Sequence, residues 1–269
     1  SGSRLGFGSL RSPLYGCAMS EQGAGRPSLP EIDVREKGAE KDGERQYMDR
    51  RLFMQLLVFN VERETHPEDA IRRLGKTLRK RDAAGTIYKD VNNPRGIGLL
   101  TWSEDPEFFA TTLRDALCDD KNDSLDLCPD FTMIGRSYSS GFEQDLPYWL
   151  INRPIETVTN PDWPWAVWYP LRRSGAFEQL EGREKGGILH EHALIGRAYG
   201  EKNLAHDVRL ACQGLDYKDN EFLIGLIGEK LYPLRHVVQS MRKTKQTSQY
   251  ISQMGPFWVG HMAWTNRGS

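Results

Sequence analysis

The sequence lacks a long hydrophobic run, a surplus of one charge and an apolar leader segment. Its 269 residues include no stretch of about 18 apolar residues, the length that a membrane-spanning helix needs. Lys and Arg number 36 against 37 Asp and Glu, for a net charge of −1, which argues against a general nucleic-acid binder. No signal-peptide pattern is visible near the N-terminus. We therefore expect a cytoplasmic protein without a membrane span or a nucleic-acid partner.

Cysteine is also scarce, and its spacing excludes the usual zinc motifs. No CxxC pair occurs, and no histidine stands at zinc-finger spacing from a cysteine. The sequence also contains no phosphate-binding loop and no nucleophile elbow. We expect reduced thiols in a reducing compartment. The four cysteines are Cys17, Cys118, Cys128 and Cys212.

Aromatic residues, in contrast, are plentiful for so polar a chain. Seven Trp, ten Tyr and ten Phe are present, and many of them cluster in the second half. The densest segments are PDWPWAVWYP at 161–170 and GPFWVGHMAW at 255–264. This clustering predicts a large, flat apolar pocket or a large interface.

The order of predicted elements indicates an α+β fold with two similar halves. Residues 1–46 have the Gly-, Ser-, Pro- and charge-rich composition of an N-terminal arm. Residues 47–145 are predicted to follow the order β-α-β-β-α-β of a ferredoxin-like half. Its strands are predicted in RLFMQLLVFNV, GTIYKDV, RGIGLLTWSE and DFTMIGRSYSSGF, and its helices from Pro67 and over 105–120.

A proline-rich linker is predicted over 146–163, and the β-α-β-β-α-β order then recurs in a C-terminal half, 164–269. Two such halves can form a double (dimeric α+β) barrel that buries a broad pocket between sheet and helices. The predicted strands are WAVWYPLRR, HDVRLACQGLD, NEFLIGLIG and GPFWVGHMAW, and the predicted helices are REKGGILHEHALIGRAYG and LYPLRHVVQSMRKTKQTSQYI.

The helix GGILHEHALIGRAYG carries two histidines on different faces. At 100° per residue, His190 and His192 point about 160° apart, so a straight helix cannot bring both to one metal ion. His192 shares an apolar stripe with Ile188, Ile195 and Tyr199, joined by Leu189. A neutral imidazole facing an aromatic pocket suits either a satisfied core histidine or an axial haem ligand. The stripe alone leaves both interpretations open.

Five ordered motifs in residues 50–266 resemble the chlorite dismutase superfamily, and among its members the coproheme decarboxylases most. They are YPLRR, EHALIGRAYG, GLDYKDNEF, VVQSMRKT and GPFWVG. The decarboxylases show a similar series: YPM with a basic residue after it, EHG..GR.Y, GLD...W, V..MR and GPF.VG. This resemblance implies a double ferredoxin-like barrel with haem b or coproheme in the second half.

The resemblance also implies roles for individual residues. The proximal iron ligand of the family falls on His192, the residue that the apolar stripe also selects. The catalytic tyrosine of the decarboxylases falls on Tyr169; there it forms a radical that attacks a porphyrin propionate, which leaves as CO2. Arg153 and Arg173 match basic residues that bind the porphyrin. Phe177 replaces a tryptophan of those enzymes and cannot donate a hydrogen bond.

Two departures from the family concern the surroundings of the iron. A distal arginine of the chlorite dismutases has no direct match: Asp207 falls there, and a longer preceding loop leaves Ala205 or Arg209 as alternatives. Arg209 could steer peroxide or chlorite, Asp207 could deprotonate peroxide, or the two could simply pair. The carboxylate that holds the proximal histidine is replaced by Lys245, which weakens support for high-valent iron. Both departures argue against efficient chlorite breakdown.

The expected function is therefore peroxide-dependent decarboxylation of coproheme to haem b, with porphyrin and peroxide as partners of a homopentamer. One alternative is a haem b peroxidase or an enzyme that converts chlorite to chloride and O2. Another is a non-catalytic haem-binding protein. The basic cluster Arg242, Lys243 and Lys245 is either a solvated helix face or a propionate or subunit contact.

Overall fold

The computed structural model of this protein describes residues 29–268. The chain divides into two units, residues 1–33 and residues 34–269, and everything described below lies in the second unit. Most of the predicted N-terminal arm, residues 1–28, lies outside the described residues. Among residues 29–268, no helix combines the length and apolar character needed to cross a bilayer.

The N-terminal half follows the predicted order of strands and helices. Its chain also contains a hairpin before the first predicted strand and a short strand, β6, between the last helix and the last strand. The strands are β1 Glu36–Lys41, β2 Glu44–Met48, β3 Phe53–Val61, β4 Gly85–Asp90, β5 Gly96–Ser103, β6 Leu125–Leu127 and β7 Met133–Arg136. The helices are α1 Pro67–Lys80, α2 Glu107–Ala110 and α3 Thr112–Leu117, with 3₁₀ turns at Asp120–Asn122 and Pro129–Phe131.

The C-terminal half repeats this order and is preceded by a helical segment. That segment is a π-helical turn, Tyr148–Asn152, continued by α4 Arg153–Thr159. The strands are β8 Trp165–Arg173, β9 His206–Ala211, β10 Phe222–Gly228, β11 Ile251–Met254 and β12 Trp258–Asn266. The helices are α5 Gly175–Glu178, α6 Gly182–Glu201 and α7 Leu231–Met241, with a second π-helical turn at Gln246–Tyr250.

Ten of the strands described, β3 to β12, join in one large antiparallel sheet whose pairing closes on itself, and β1 and β2 form a separate two-stranded sheet. Within residues 29–268 the order is β10-β9-β7-β3-β5-β4-β12-β8, and β10 also pairs with β8. β11 pairs with β8 at its other edge, and β6 pairs with β3. The predicted α+β class with its antiparallel sheet is confirmed; the double-barrel arrangement of the halves stays a prediction.

Alternation along the strands divides the described apolar residues into an inner core and two outer cores. All eight strands of the closed path contribute to the inner core, which contains Trp168 and Trp258. One outer core lies between the sheet and helices α1 and α3. The other contains Tyr169 and lies between the sheet, α6 and α7. Adjacent residues of β8 therefore face opposite sides, and Tyr169 faces the helices.

Two tryptophans of the inner core, Trp168 and Trp258, each require a glycine beside them. A Cβ at Gly225 would lie 2.5 Å from the ring of Trp168, to which Gly225 is paired across β8 and β10. A Cβ at Gly98 would lie 2.4 Å from the ring of Trp258. The indole N–H of Trp258 reaches the edge of the core and donates to Asp90 Oδ2 at 2.9 Å.

Some boundaries differ from the predictions. Residues 36–48 form the hairpin β1–β2 rather than the end of an arm, and buried Glu36 ties this hairpin to Arg136 at 2.6 Å. The predicted linker is helical over most of its length. Asp145 begins it by accepting a hydrogen bond from the Tyr148 N–H at 3.0 Å. Proline was misleading there because Pro154 lies in the first turn of α4, where its missing N–H is tolerated.

Two predicted helices are also shorter or interrupted. The helix predicted over 105–120 is broken at Thr111, whose hydroxyl donates to the Glu107 carbonyl. The long helix predicted from Leu231 ends at Met241. Thr244 Oγ1 donates to the Met241 carbonyl at 2.7 Å, and such side-chain bonds compete with the helical ladder. Cys118, Cys128 and Cys212 form no disulfide among the described residues, and Cys17 lies outside those residues.

Candidate functional site

His192 lies on the inner face of α6, as the apolar stripe predicts. The helix turns His190 and Leu189 to the exposed side and keeps Ile188 buried. Leu189, expected to join the stripe, is therefore outside it. Burial and the nearby charge of Arg209 lower the pKa of His192, so the imidazole is neutral at pH 7. Its Nδ1 is buried without a hydrogen-bond partner among the described residues.

Tyr169 faces the same side of the sheet from β8. Its ring stacks on Phe257 with centroids 4.5 Å apart, and 6% of the residue is exposed. Burial, followed by the charge of Asp207, raises the pKa of its phenol above the ordinary value, against the opposing charge of Arg242. The phenol therefore keeps its proton, held in an apolar setting near two charged groups.

Asp207 is held between two guanidinium groups. Arg153 donates from Nη2 to Asp207 Oδ1 and from Nη1 to its carbonyl, both at 2.8 Å. Arg209 Nε lies 2.9 Å from Oδ2. Burial alone would raise the pKa of Asp207, but Arg209 and Arg153 together lower it below the ordinary value. Of the three possibilities left open for this strand, the structure shows pairing of Asp207 with Arg209, and Arg153 completes the triad.

The segment GRSYSSGFEQDLPYW borders this triad, a placement that the sequence did not reveal. Tyr138 and Trp149 line a cavity of about 20 Å³, the size of one water molecule, together with Arg153 and Arg209. Burial raises the pKa of Tyr138, while Arg209 opposes this rise. Ala205, the third candidate for the distal position, is buried in the outer core with Tyr169.

Arg173, predicted to hold a propionate, is already paired with protein carboxylates. Its Nε donates to Glu221 Oε1 at 2.9 Å, and its Nη2 contacts the same oxygen and lies 3.5 Å from Glu178. The guanidinium also lies 4.4 Å from the centre of the Phe177 ring. Arg173 is thus engaged within the protein in this structure and has little capacity left for a ligand carboxylate.

Arg242 offers the free positive charge that Arg173 lacks. In the part of the chain that the structure describes, no carboxylate forms an ion pair with it. Arg242 lines an open pocket of about 360 Å³ with Thr247, Ile251, Ser252, Gln253 and Met254. Ile251 and Met254 also pack against the outer core of Tyr169, so this pocket adjoins the tyrosine. Of the two interpretations of the basic cluster, the position of Arg242 favours a ligand contact.

All of these side chains lie in or beside one segment of the sequence that is shared with a known family. Residues 148–263 match the family model described as chlorite dismutase. The match covers 116 of the 269 residues, so the C-terminal half of the chain is similar to the chlorite dismutase family. No curated protein matches its sequence.

Several solved structures share the fold of this chain at low sequence identity. A haem-binding protein from Thermus thermophilus has a TM-score of 0.65 at 18% identity, over 80% of this chain and 92% of its own. Chlorite dismutase from Candidatus Nitrospira defluvii, in complex with imidazole, has a TM-score of 0.62 at 13% identity, over 79% and 91%. A putative chlorite dismutase has a TM-score of 0.63 at 13% identity, over 80% and 95%.

Lys245, expected where the superfamily has a carboxylate beside its histidine, lies next to α6. Its Nζ donates to Glu184 at 2.7 Å, and its backbone N–H donates to Glu191 at 3.1 Å. The lysine side chain therefore faces acidic residues at the outer edge of the helix. It does not replace the missing carboxylate at His192.

Proposed function

We propose that this protein is a haem-dependent oxidoreductase that decarboxylates coproheme to haem b with peroxide, in a double (dimeric α+β) barrel. The observation that carries this proposal is the grouping of His192, Tyr169 and Arg242 on one side of the sheet. This reaction requires three groups from the protein: a metal ligand, a buried protonated phenol and a free cation.

The residues present fit a porphyrin in this place. His192 is neutral, so its Nε2 would hold the iron when the buried and unsatisfied Nδ1 carries the ring proton. Arg242 has a free guanidinium for a propionate, and the pocket beside it is open. Bound iron porphyrin supplies the oxidising power of peroxide to the residues around it.

Tyr169 then serves as the hydrogen-atom donor and acceptor. Because burial keeps the phenol protonated, it can give up its hydrogen atom as a neutral group. The resulting side-chain radical abstracts hydrogen from a propionate, whose carboxylate leaves as CO2 after loss of a second electron. The propionate becomes a vinyl group, and one peroxide takes up the two electrons for each propionate converted. Stacking on Phe257 fixes the orientation of the ring.

The closed triad argues against the chlorite-degrading alternative. Asp207 neutralises part of the charge of Arg153 and Arg209, and both are held in place by it. These three residues therefore provide no free arginine to bind an anion and no free carboxylate to act as a base. The same observation favours a second candidate function, a haem-binding protein without catalysis. The similar structure from Thermus thermophilus is described as a haem-binding protein.

Titration with coproheme followed by peroxide tests the proposal. We expect tight binding with a shift of the Soret band, then a mass change equal to conversion of two propionates to vinyl groups. Binding without a mass change would favour the second candidate, and failure to bind coproheme or haem b would reject both. Oxygen release from chlorite would restore the chlorite-degrading alternative.

Two variants separate binding from chemistry. His192→Ala should lose the Soret shift, since no other axial ligand is proposed. Tyr169→Phe should bind coproheme with unchanged affinity and produce no vinyl groups, because the ring and its stacking remain. Unchanged turnover in Tyr169→Phe would remove this tyrosine from the mechanism.

A further inference from the structure

Two buried polar atoms near the candidate iron ligand lack partners among the described residues. One is Nδ1 of His192 on α6, and the other is Oε1 of Gln246 in the π-helical turn after α7. Gln246 is 8% exposed, although glutamine is normally an exposed residue. Buried polar groups in folded proteins are nearly always paired, so both atoms call for a partner.

The two residues belong to elements that are joined by hydrogen bonds. The backbone N–H of Lys245, which precedes Gln246, donates to Glu191 Oε2 at 3.1 Å, and Glu191 precedes His192. Lys245 Nζ donates to Glu184 Oε1 at 2.7 Å, and Glu184 lies two turns of α6 before Glu191. These bonds fix where the π-helical turn lies along α6, and they place Gln246 beside the turn of α6 that carries His192.

Burial places both residues on the inner side of this junction. Glu184 and Glu191 lie at the exposed edge of α6, where Lys245 reaches them from outside. His192 lies 100° further round the helix, toward the sheet. Gln246 is buried, whereas its neighbour Lys245 is only partly buried, and from this difference we infer that the Gln246 side chain turns inward, as His192 does.

We propose that the side-chain carbonyl of Gln246 accepts a hydrogen bond from His192 Nδ1–H. This pairing would place the ring proton on Nδ1 and leave the Nε2 lone pair free for iron. A neutral amide would hold the imidazole in orientation without the electron donation that a carboxylate partner provides. The role in iron binding rests on the proposed function; the hydrogen bond itself does not.

The tautomer of His192 in porphyrin-free protein tests the pairing directly. Long-range proton–nitrogen NMR correlations on ¹⁵N-histidine protein distinguish Nδ1–H from Nε2–H, and His192→Ala assigns the signal. We expect the Nδ1–H form in the wild type and in Gln246→Glu, and a shift toward Nε2–H in Gln246→Leu. Gln249→Leu, an exposed glutamine of the same turn, is the matched control and should leave the tautomer unchanged.

A second measurement uses the ferrous haem-loaded protein. The iron–histidine stretching frequency in resonance Raman spectra should rise in Gln246→Glu, because a carboxylate makes the imidazole more basic, and fall in Gln246→Leu. Equal frequencies in all three proteins, or a wild-type tautomer in a folded Gln246→Leu, would overturn the pairing. If porphyrin fails to bind but the tautomer depends on Gln246, the proposed function falls and the hydrogen bond stands.

Discussion

At the scale of single residues, the site is defined by which charged groups are already paired. Asp207 neutralises Arg153 and Arg209, and Glu221 engages Arg173, whereas Arg242 faces an open pocket. The N–H donors of a paired guanidinium are already bonded to protein carboxylates, whereas a free guanidinium can bind a propionate. Whether an arginine of this site is available to a ligand therefore depends on its protein partner more than on its residue type.

Replacing Asp207 by Asn should destabilise the protein in a pH-dependent way. The variant leaves two guanidiniums without their carboxylate, which we expect to cost about 1 kcal/mol of unfolding free energy at pH 7, because solvent screens the half-exposed pair. Because the folded-state pKa of Asp207 is lowered, its stabilisation is present above the unfolded pKa and is lost as pH falls through the folded value.

Urea unfolding at several pH values measures this difference. The gap between wild type and Asp207→Asn should be full above about pH 5 and shrink below about pH 4. Asp162→Asn, at an exposed position, should show little change at any pH. A gap that persists unchanged into acid would show that the triad is not the source of the stabilisation.

Replacing Arg242 by Gln should weaken coproheme binding. One charge-assisted hydrogen bond is worth about 1.5 kcal/mol, so the dissociation constant should rise by roughly tenfold. Lys243→Gln, the adjacent exposed cation, should bind as the wild type does. Titration followed by the Soret band measures both, and equal affinity in all three proteins would exclude Arg242 as a propionate contact.

At the scale of elements, strands and helices place opposite demands on glycine. In β10, Gly225 lies against Trp168, so Gly225→Ala should cost about 2 kcal/mol through overpacking. In α6, a Cβ at Gly187 would meet no atom within 4 Å in the described part of the chain, so Gly187→Ala should add about 1 kcal/mol of helix stability. Thermal and urea unfolding of the two variants should therefore shift in opposite directions.

At the scale of the whole molecule, the two halves are joined by two unequal seams. Strands β4 and β12 pair along most of their length, whereas β7 and β9 meet in register at Arg136 and Ala211 in the described residues. Fewer ladder bonds mean a lower free energy of local opening. The closed path of strands should therefore open first between β7 and β9.

Thiol labelling measures this opening, because Cys212 is fully buried beside Gly135 of β7. In protein whose other cysteines are replaced by serine, Cys212 should be labelled about tenfold faster than a cysteine at position 86 on the β4–β12 seam. The comparison protein carries Thr86→Cys with every natural cysteine, including Cys212, replaced by serine. Thr86 is equally buried, so exposure in the closed state does not separate the two sites. Equal rates would indicate that labelling follows global unfolding.

The sequence by itself determined the repeated strand and helix order, the inner face of α6 and the choice of His192 over His190. These features depend on local periodicity and turn chemistry, which act between residues near in sequence. It did not reveal the hairpin at 36–48, the helix in the supposed linker or the break after Met241, where side-chain hydrogen bonds replaced the expected backbone pattern.

Tertiary structure alone decided which charges are free. Arg173 lies 48 residues from Glu221, and Arg153 lies 54 residues from Asp207, so neither pairing leaves a periodic signal in the sequence. The hydrogen bond that we propose between Gln246 and His192 would likewise join residues that lie 54 positions apart in the sequence. Long-range partners, rather than residue types, hold Arg173 in an internal contact and leave Arg242 as the proposed ligand contact.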